Sequence, residues 1–370
     1  LSYDFGARYY ITGTFRRDGS SRLAPETRWG NFWSVSGSWR FANEKFMDFA
    51  WLNDGKLRGS YGTSGTLPSD YFGYMSVYDY GVYGDQGASY PSNLANADLL
   101  YECLVEGEIT RLMAIYGDWT NLERIGNLRS CRDYYIYWAF EWDAIYVHAG
   151  GPFYINDVIR RSDTQNIDAL TAPSGVFYRT TDRSAPHNLY LDGKNIYDEA
   201  NRLGYPLETR AGYSDPLHFQ FTTETNPNTL EQYSDSKAVK KIDLARAYPV
   251  SQTWFEYNED DGLYYRYQKI SDGPHMDAAT NSQLAFKNVL VQFTYYEVRD
   301  ARDYLAFQCI DNTRDGWYFT NGRGIHVTWR KTSDYGATRY FDDNGNEIQL
   351  NTGKTMICIV QDGDEFVAEN

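Results

Sequence analysis

The residues best suited to chemistry in this sequence are arginines that stand close together in an otherwise acidic chain. Arg129 and Arg132 are three positions apart, and an aromatic-rich run to Phe140 follows them. We predict a helix over 127–140, with Ser130 as its N-cap, on which the two arginines share one face. The amide groups and positive dipole end of a helix N-terminus favour anions. This segment therefore predicts an anion-binding site.

Histidine, glycine and further arginine residues later in the chain extend this predicted site. A predicted strand ends at His148 and leads into Gly150 and Gly151, where the missing side chains let backbone amides approach a ligand. Guanidinium groups clamp phosphate or carboxylate through paired hydrogen bonds. The predicted ligand-binding residues are Arg129, Arg132, His148, Gly150, Gly151, Arg179, Arg183, His187 and Asn188. The alternative is that they hold loops together by pairing with Asp133, Asp143 and Asp182.

A second polar motif, Gly-Pro-His-Met-Asp at 273–277, places His275 two residues before Asp277. The two side chains suit an acid–base pair or two metal ligands, and we include both in the ligand-binding hypothesis. A metal site generally needs three or four ligands, and only His326 and scattered carboxylates remain to complete one. We therefore expect neither a metal site nor a cofactor.

Covalent catalysis has less support, and we assign no catalytic residue. The sequence contains no Gly-x-Ser-x-Gly elbow, and its four cysteines show no Cys-x-x-Cys spacing. We expect these cysteines to be buried free thiols. An envelope hydrolase or transferase that uses His148, His187 or His275 as general base remains an alternative.

The composition of the 370-residue chain limits the partners of these residues. A net charge of −15 argues against nucleic acid, because phosphate backbones require clustered Lys and Arg. The sequence has no run of 18 apolar residues, and so encodes no transmembrane helix. It begins at Leu1 without Met or a signal segment, which suggests an internal piece of a longer product.

The composition changes sharply near residue 95. Up to Asn93 there are nine basic and nine acidic residues, and every Cys and His lies after residue 100. A charge-neutral, aromatic segment is thus followed by an acidic, histidine-bearing one. This change predicts a domain boundary.

The first segment contains three stretches of alternating apolar and polar residues, at 8–17, 31–40 and 56–63. Strands of about ten residues with one apolar face and aromatic residues near their ends are typical of a transmembrane β-barrel wall. An ordinary antiparallel sheet with one solvated face gives the same alternation. The pattern alone leaves both interpretations open.

Sequence motifs favour the first interpretation. They are FRRDGSSR at 15–22, RWGNFWSVS at 28–36, WR at 39–40, WLND at 51–54, KLRGSYGTSG at 56–65 and YPSNLANADL at 90–99. In order and spacing they resemble the SusC/RagA family of TonB-dependent outer-membrane transporters. The resemblance implies an outer-membrane barrel that imports oligosaccharides or peptides. A barrel cannot close with only a few strands. We therefore expect a transporter remnant rather than a working transporter.

The remainder of the chain predicts two further domains. Strands and helices alternate up to about Phe221, including a helix over 196–203 that stops at Gly204, which suggests an α/β domain. A polar stretch at 226–237 is a candidate linker. Beyond it lie short strands separated by turns such as Asp261-Gly262 and Asn321-Gly322, which predict a mostly-β domain.

This second segment also carries recognisable motifs. They are LLYECLVEGEITRLMAIY at 99–116, IGNLRSCRD at 125–133, HAGG at 148–151, APHN at 185–188, GPHMD at 273–277, GWYFTNG at 316–322 and TWR at 328–330. They resemble the YerB-type bacterial lipoprotein family, which has N- and C-terminal domains of unknown function. Family members begin with a lipoprotein signal, which the barrel-like segment replaces here. The join falls within about 94–99, where the sequence fits both families.

The sequence therefore predicts a β-rich α+β chimera. An antiparallel β fragment (1–98) precedes an α/β domain (99–225) and a C-terminal mostly-β domain (240–370). We expect an extracytoplasmic, lipoprotein-like module of the cell envelope that binds an anionic or glycan ligand, with aromatic side chains as stacking surfaces. Any membrane association would come from the barrel-like segment or from a lipid anchor outside this sequence.

Overall fold

The computed structural model describes residues 1–19, 29–47, 54–63, 91–213, 218–271 and 273–370. The chain divides into two units, Leu1–Tyr83 and Gly84–Asn370, and each is described by itself. Most regular structure is strand, arranged in several sheets, which confirms a β-rich α+β fold. Among the described residues, no helix combines the length and the apolar character needed to cross a membrane.

The first unit forms one antiparallel sheet of four strands in sequential order. Its strands are β1 (Ser2–Phe5), β2 (Tyr9–Gly19), β3 (Trp29–Trp39) and β4 (Leu57–Gly62). The three strands predicted from alternation are thereby confirmed, with small shifts at their ends. Parts of the motifs quoted for this segment lie outside the described residues. These parts are residues 20–22, 28, 51–53 and those within 64–90.

The strand register places the apolar residues of this sheet on one face. Ile11 lies opposite Gly37, and Gly13 lies opposite Val35. Because side chains alternate between faces, the aromatic residues that flank these positions lie on the same side. This face is solvent-exposed in the unit, as shown by the side chains of Tyr9, Ile11, Phe15, Trp33, Val35, Leu57 and Tyr61. The alternation thus produces an exposed apolar face with small residues in its centre.

The second unit contains twenty-three strands among its described residues. In chain order they are β5 (Leu99–Leu104), β6 (Thr110–Ile115), β7 (Ile125–Gly126), β8 (Tyr146–His148), β9 (Asn166–Asp168), β10 (Phe177–Arg179), β11 (Leu189–Leu191), β12 (Gln220–Phe221), β13 (Lys237–Ala238), β14 (Lys241–Asp243), β15 (Thr253–Asn258), β16 (Leu263–Gln268), β17 (Gly273–Pro274), β18 (Ala285–Phe286), β19 (Asn288–Thr294), β20 (Tyr296–Val298), β21 (Leu305–Phe307), β22 (Asp311–Thr320), β23 (Arg323–Lys331), β24 (Arg339–Phe341), β25 (Gln349–Leu350), β26 (Thr355–Gln361) and β27 (Val367–Glu369).

An eight-stranded sheet forms the centre of this unit, in the order β13-β23-β22-β19-β26-β5-β6, with β24 paired to β23. The pairs β19–β26 and β26–β5 are parallel. Strands β5, β19 and β26 are almost completely buried. Their nearly continuous apolar sequences are typical of strands covered on both faces. The hydrophobic core of the unit therefore lies along these three strands.

The same sheet contains strands from both predicted domains, because β5 and β6 precede the predicted linker and β26 follows it. The linker stretch is also tied to the core. Leu230 is fully buried, and the backbone amide of Asn228 donates to Asn351 Oδ1 at 2.7 Å. The division at 99–225 and 240–370 remains a prediction.

Smaller sheets surround the central one. Strands β14 to β18 and β27 form a six-stranded sheet, and β10, β11 and β7 form a three-stranded one. Two-stranded pairs are β8–β9, β12–β25 and β20–β21. The hairpin β15–β16 turns at Gly262 and the hairpin β22–β23 turns at Asn321-Gly322, so both of these predicted turns are confirmed.

Three α-helices occur among the described residues: α1 (Asp133–Phe140), α2 (Asn156–Ile159) and α3 (Gly193–Leu203). Single turns of 3-10 helix lie at Phe41–Asn43, Leu94–Asn96, Glu106–Glu108, Phe153–Ile155 and Lys269–Ser271. Helix α3 ends at Gly204, which has a φ of +75°, as predicted. Helix α1 starts later than predicted, and this shift changes the predicted binding site.

Candidate functional site

The segment 127–132 is irregular rather than helical. The amide of Leu128 donates to Leu189 O at 2.9 Å, and the amide of Cys131 donates to Gly150 O at 2.8 Å. Because these amides are bonded to other segments, they do not start a helix, and α1 begins at Asp133. The predictions of an N-cap at Ser130 and of a helical face shared by the two arginines are wrong.

This segment nevertheless carries Arg129 to the loop at 180–188, which joins β10 to β11. The guanidinium of Arg129 donates to Pro186 O and to Nδ1 of His187. Asn127 Nδ2 donates to His187 O at 3.2 Å and fixes the loop from the same side. We call Arg129, Arg183 and His187 the basic cluster.

The electrostatics of the basic cluster are positive. Burial, Arg129 and Arg183 together lower the pKa of His187 to about 4. The imidazole is therefore neutral at neutral pH, and its Nδ1 accepts from Arg129, since a guanidinium can only donate. Two guanidinium groups thus lie close to a neutral ring at this loop.

Arg179 and Asn188 form the base of the same loop. Arg179 Nη1 donates to Asn188 Oδ1 at 2.8 Å, and Asn188 Nδ2 donates to Thr180 O at 2.8 Å. Asn188 is buried, whereas Arg179 is exposed. Five of the predicted residues are therefore brought to one loop.

The three aspartates proposed as alternative partners have other arginines beside them. Asp133 pairs with Arg299, Asp143 pairs with Arg210, and Asp182 pairs with Arg124. These three ion pairs do not involve the predicted site residues, and the choice between the two interpretations stays a prediction.

Arg132 belongs to a different environment. Its side chain is buried and forms an ion pair with Glu106, and its guanidinium lies 5.3 Å from the ring centre of Tyr304. The pair fixes the turn after β5 to the start of α1. We regard Arg132 as a structural residue.

His148 and the glycines that follow it form a closed turn. His148 Nδ1 lies 2.9 Å from Gly150 O, and the amide of Gly150 donates to Asp168 Oδ1 at 2.7 Å. The Gly150 amide, predicted to approach a ligand, is thus already occupied. A Cβ on Gly151 would lie 2.4 Å from Ile155 Cδ1, so this glycine allows close packing. Nε2 of His148 is buried, and none of the described residues forms a hydrogen bond with it.

His275 and Asp277 do not act as a pair. Nδ1 of His275 accepts from Arg266, and burial together with Arg266 holds the pKa of His275 well below its usual range. Asp277 accepts the backbone amides of Asn93 at 2.9 Å and Ala95 at 2.6 Å. Each residue has a separate structural contact, so their acid–base pairing is contradicted.

All four cysteines are buried and free, as expected. Burial is the main cause that raises the pKa of each thiol, and the pKa of Cys131 rises to about 12. Such thiols are poor nucleophiles. In the part of the chain that the structure describes, no group of three or more His, Cys, Asp or Glu is arranged to hold a metal.

Sequence reasoning missed a buried ionic cluster around Glu141. Its carboxylate accepts from Tyr101 OH at 2.6 Å and from the amide of Thr338 at 2.7 Å. Burial alone would raise the pKa of Glu141, but nearby Lys331 and His218 lower it to about 2. These residues come from distant parts of the sequence, and no local pattern links them.

The class of the protein follows from its match to two protein-family models. Residues 85–206 match the model for the protein of unknown function (DUF3048) N-terminal domain, and residues 243–357 match its C-terminal domain. Together the two models cover more than half of the sequence. The chain therefore belongs to the DUF3048 family.

One relative is YerB of Bacillus subtilis strain 168, which is named a putative lipoprotein. The chain is 27% identical to it over 279 residues, which are 74% of this chain and 77% of YerB. The crystal structure of B. subtilis YerB superposes with a TM-score of 0.63 at 22% identity, over 76% of this chain and 89% of that one. The predicted family resemblance of the larger segment is confirmed.

Shorter matches link the chain to TonB-dependent receptors. Receptor P39 of Formosa agariphila is 36% identical over 104 residues, and SusC of Bacteroides thetaiotaomicron is 39% identical over 93 residues. These matches cover 28% and 25% of this chain. The chain spans only 10% and 9% of the two receptors. The partial resemblance stands, and the chimeric join remains a prediction.

Proposed function

We propose that residues 84–370 form an extracytoplasmic binding module of the cell envelope, and that the basic cluster holds an anionic ligand. The envelope location follows the family, because the YerB relative is named as a lipoprotein. The family models assign no activity. The proposal for the ligand therefore depends on the geometry of the loop at 180–188.

The observation that carries the proposal is the arrangement of Arg129 and Arg183 around His187. The guanidinium of Arg129 donates to Nδ1 of His187, and both arginines add to burial in lowering the pKa of His187. Two guanidinium groups therefore lie close to one loop, where a single anion can contact both. Guanidinium groups favour carboxylate and phosphate, because their planar N–H groups match the spacing of the oxygens.

The ligand class that fits is a phosphate or carboxylate group carried by an envelope component. Arg179 is exposed on the same loop and extends the positive surface toward solvent. Asn188 supports Arg179 and gives the loop a fixed base. The site would thus bind the charged group locally, and the rest of the ligand would remain in solvent.

The hydrolase alternative has less support. His275 is fully buried and accepts from Arg266, so it is not placed to take a proton from a substrate. His187 has a pKa of about 4 in a positive environment, which makes it a weak base. Binding without chemistry is the function that the contacts favour.

The test is calorimetric titration of the full chain with pyrophosphate and with oligogalacturonate. Replacing Arg129 or Arg183 by Ala removes a charge-assisted hydrogen bond of about 1.5–3 kcal/mol, so affinity should fall by roughly tenfold or more. Binding should also weaken as salt increases. Arg246→Ala is the matched control, because this exposed arginine pairs with Glu365 away from the loop.

Retained folding of each variant is checked by circular dichroism. Equal affinity of the Arg129→Ala, Arg183→Ala and Arg246→Ala variants for these anions would overturn the proposal. Failure of the unaltered chain to bind either anion would do the same.

A further inference from the structure

A separate pocket of about 480 Å³ lies on one face of the central sheet. Its volume is within the range of about 300–1,000 Å³ that is typical of small-molecule sites. The residues that line it include Phe293, Arg314, Asp315, Trp317, His326 and Asp362. None of them belongs to the basic cluster.

Strand register explains why these side chains meet. Trp317 on β22 lies opposite His326 on β23 and opposite Val291 on β19. Because side chains alternate along a strand, Asp315 and Phe293 lie on the same face as Trp317. Asp362 follows β26 directly and forms the adjoining wall. Three neighbouring strands therefore build the floor.

The apolar part of the pocket is aromatic. Trp317 is partly exposed and has the largest ring of the lining. The ring centre of Trp317 lies 5.7 Å from that of His326 and 6.0 Å from that of Phe366, at steep interplanar angles in both cases. The ring of Phe319 lies nearly parallel to it, with the ring centres 6.3 Å apart. These contacts hold the indole in place. A fixed, partly exposed indole is a suitable surface for stacking a ligand ring.

The polar groups of the pocket are held in fixed positions. Arg314 Nε pairs with Asp311 at 2.6 Å, and its guanidinium also pairs with Asp362. His326 Nδ1 lies 2.6 Å from Asp343 Oδ1, and its Nε2 lies 3.6 Å from Asp315 Oδ1. The pocket thus offers preorganised donors and acceptors beside an aromatic floor.

The charges of these groups narrow the ligand class. Four aspartates face one arginine and one histidine, so the excess of negative charge disfavours phosphate and carboxylate ligands. Arg314 lies in the same pocket and disfavours a simple ammonium ion. A neutral ligand with many hydroxyl groups uses both the carboxylate acceptors and the guanidinium donors.

We propose that this pocket binds a pyranose ring of an uncharged glycan. The ring stacks on Trp317, and its hydroxyl groups donate to Asp315 and Asp362. The site is independent of the basic cluster and has the opposite charge. One module would then contact an envelope polymer at two chemically different points.

The experiment is calorimetric titration of the full chain with cellotetraose, maltotetraose and N,N′,N″,N‴-tetraacetylchitotetraose. We expect one of these to bind, and Trp317→Ala to weaken binding roughly tenfold or more. Trp254→Ala is the matched control, because this partly exposed tryptophan stacks on Tyr267 in another sheet. It should leave the affinity unchanged.

Asp315→Ala is the second variant, since its side chain is 75% exposed and its loss does not threaten folding. It should also weaken glycan binding, whereas the double variant Arg129→Ala/Arg183→Ala should not. Binding of none of the three glycans would overturn the proposal. Unchanged glycan affinity in both the Trp317→Ala and the Asp315→Ala variants would also overturn it. A third contrary result is that spermidine binds more tightly than the glycans and that both variants lose this binding.

Discussion

At the scale of single residues, the second unit is held together by buried charges whose partners are distant in sequence. Arg266 Nη2 lies 2.8 Å from both carboxylate oxygens of Glu102, and both side chains are almost fully buried. Thr253 and Thr110 also donate to this carboxylate, at 3.1 and 2.8 Å. The pair links β5 of the central sheet to β16 of the six-stranded sheet.

Removing one member of this pair should be more harmful than removing both. Arg266→Leu leaves an uncompensated buried carboxylate, and we expect it to lower the free energy of unfolding by about 3–5 kcal/mol. The double variant Glu102→Leu/Arg266→Leu should recover a large part of that loss, because no buried charge remains unpaired. Urea denaturation monitored by circular dichroism measures both.

The exposed pair between Arg246 and Glu365 provides the control for this prediction. Its side chains are 69% exposed, and breaking it should cost less than about 1 kcal/mol. The single variant Glu102→Leu completes the set. A loss of unfolding free energy in the double variant that equals the sum of the losses in Glu102→Leu and Arg266→Leu would show that the two residues do not depend on each other.

Residue-level prediction grouped side chains correctly in space only where they are close in sequence, and their role in binding stays a prediction. Arg179, Arg183, His187 and Asn188 lie within ten residues, and the structure brings them to one loop. It failed for pairs such as Arg266–Glu102, where 164 positions separate the partners and only the sheet brings them together. The pocket around Trp317 was missed for the same reason, because it depends on strand register.

At the scale of elements, the hairpin turns show how backbone geometry restricts sequence. Asn321 and Gly322 have φ values of +50° and +69°, so the turn between β22 and β23 uses left-handed backbone at both positions. A Cβ on Gly322 would lie 2.6 Å from Tyr257 Cε1. Glycine is therefore required here both for conformation and for space.

Gly345 separates these two requirements. It has a φ of +80°, but no atom lies within 4 Å of the position that a Cβ would take. We expect Gly345→Ala to cost about 1 kcal/mol through backbone strain alone. Gly322→Ala should cost about 2–4 kcal/mol, since overpacking against Tyr257 adds to the strain. Equal losses for the two variants in urea denaturation would contradict this account.

Element prediction was most accurate where strands are joined by short turns. Strand β16 shows the alternating burial that is typical of a half-buried strand. The turns of the β15–β16 and β22–β23 hairpins follow directly from an Asp-Gly and an Asn-Gly pair. The helix predicted over 127–140 was too long, because an aromatic-rich sequence does not reveal that the amides of 127–132 bond to other segments. The parallel pairing of β5 with β26 spans most of the second unit and has no local signal.

At the scale of the whole molecule, two kinds of sequence are present in one chain. The first unit presents an exposed apolar sheet face and resembles a small part of TonB-dependent receptors. The larger unit has the DUF3048 domains and the YerB fold. Composition alone predicted this change, because charge, Cys and His all shift near residue 95.

The net charge of −15 makes local recognition essential for an anionic ligand. The molecule as a whole repels anions, so binding depends on the short-range field of the basic cluster. The pKa of His187 reports this field in part, because burial is the largest cause of its low value and Arg129 and Arg183 add to it. In the unfolded chain His187 takes up a proton near pH 6.5, whereas in the folded chain it does so only near pH 4. The free energy of unfolding therefore falls as the pH is lowered from 6.5 to 4.

A bound anion should reverse this effect, because it favours the protonated imidazole and so raises the pKa of His187. The most direct test is a histidine-selective NMR titration of the full chain, with and without saturating pyrophosphate, in which His187→Gln identifies the signal. The account predicts a pKa of about 4 for the free protein and a higher pKa in the complex, where the anion offsets the effect of the two arginines. A pKa near 6.5 in the free protein, or one that does not change when pyrophosphate is bound, would contradict it.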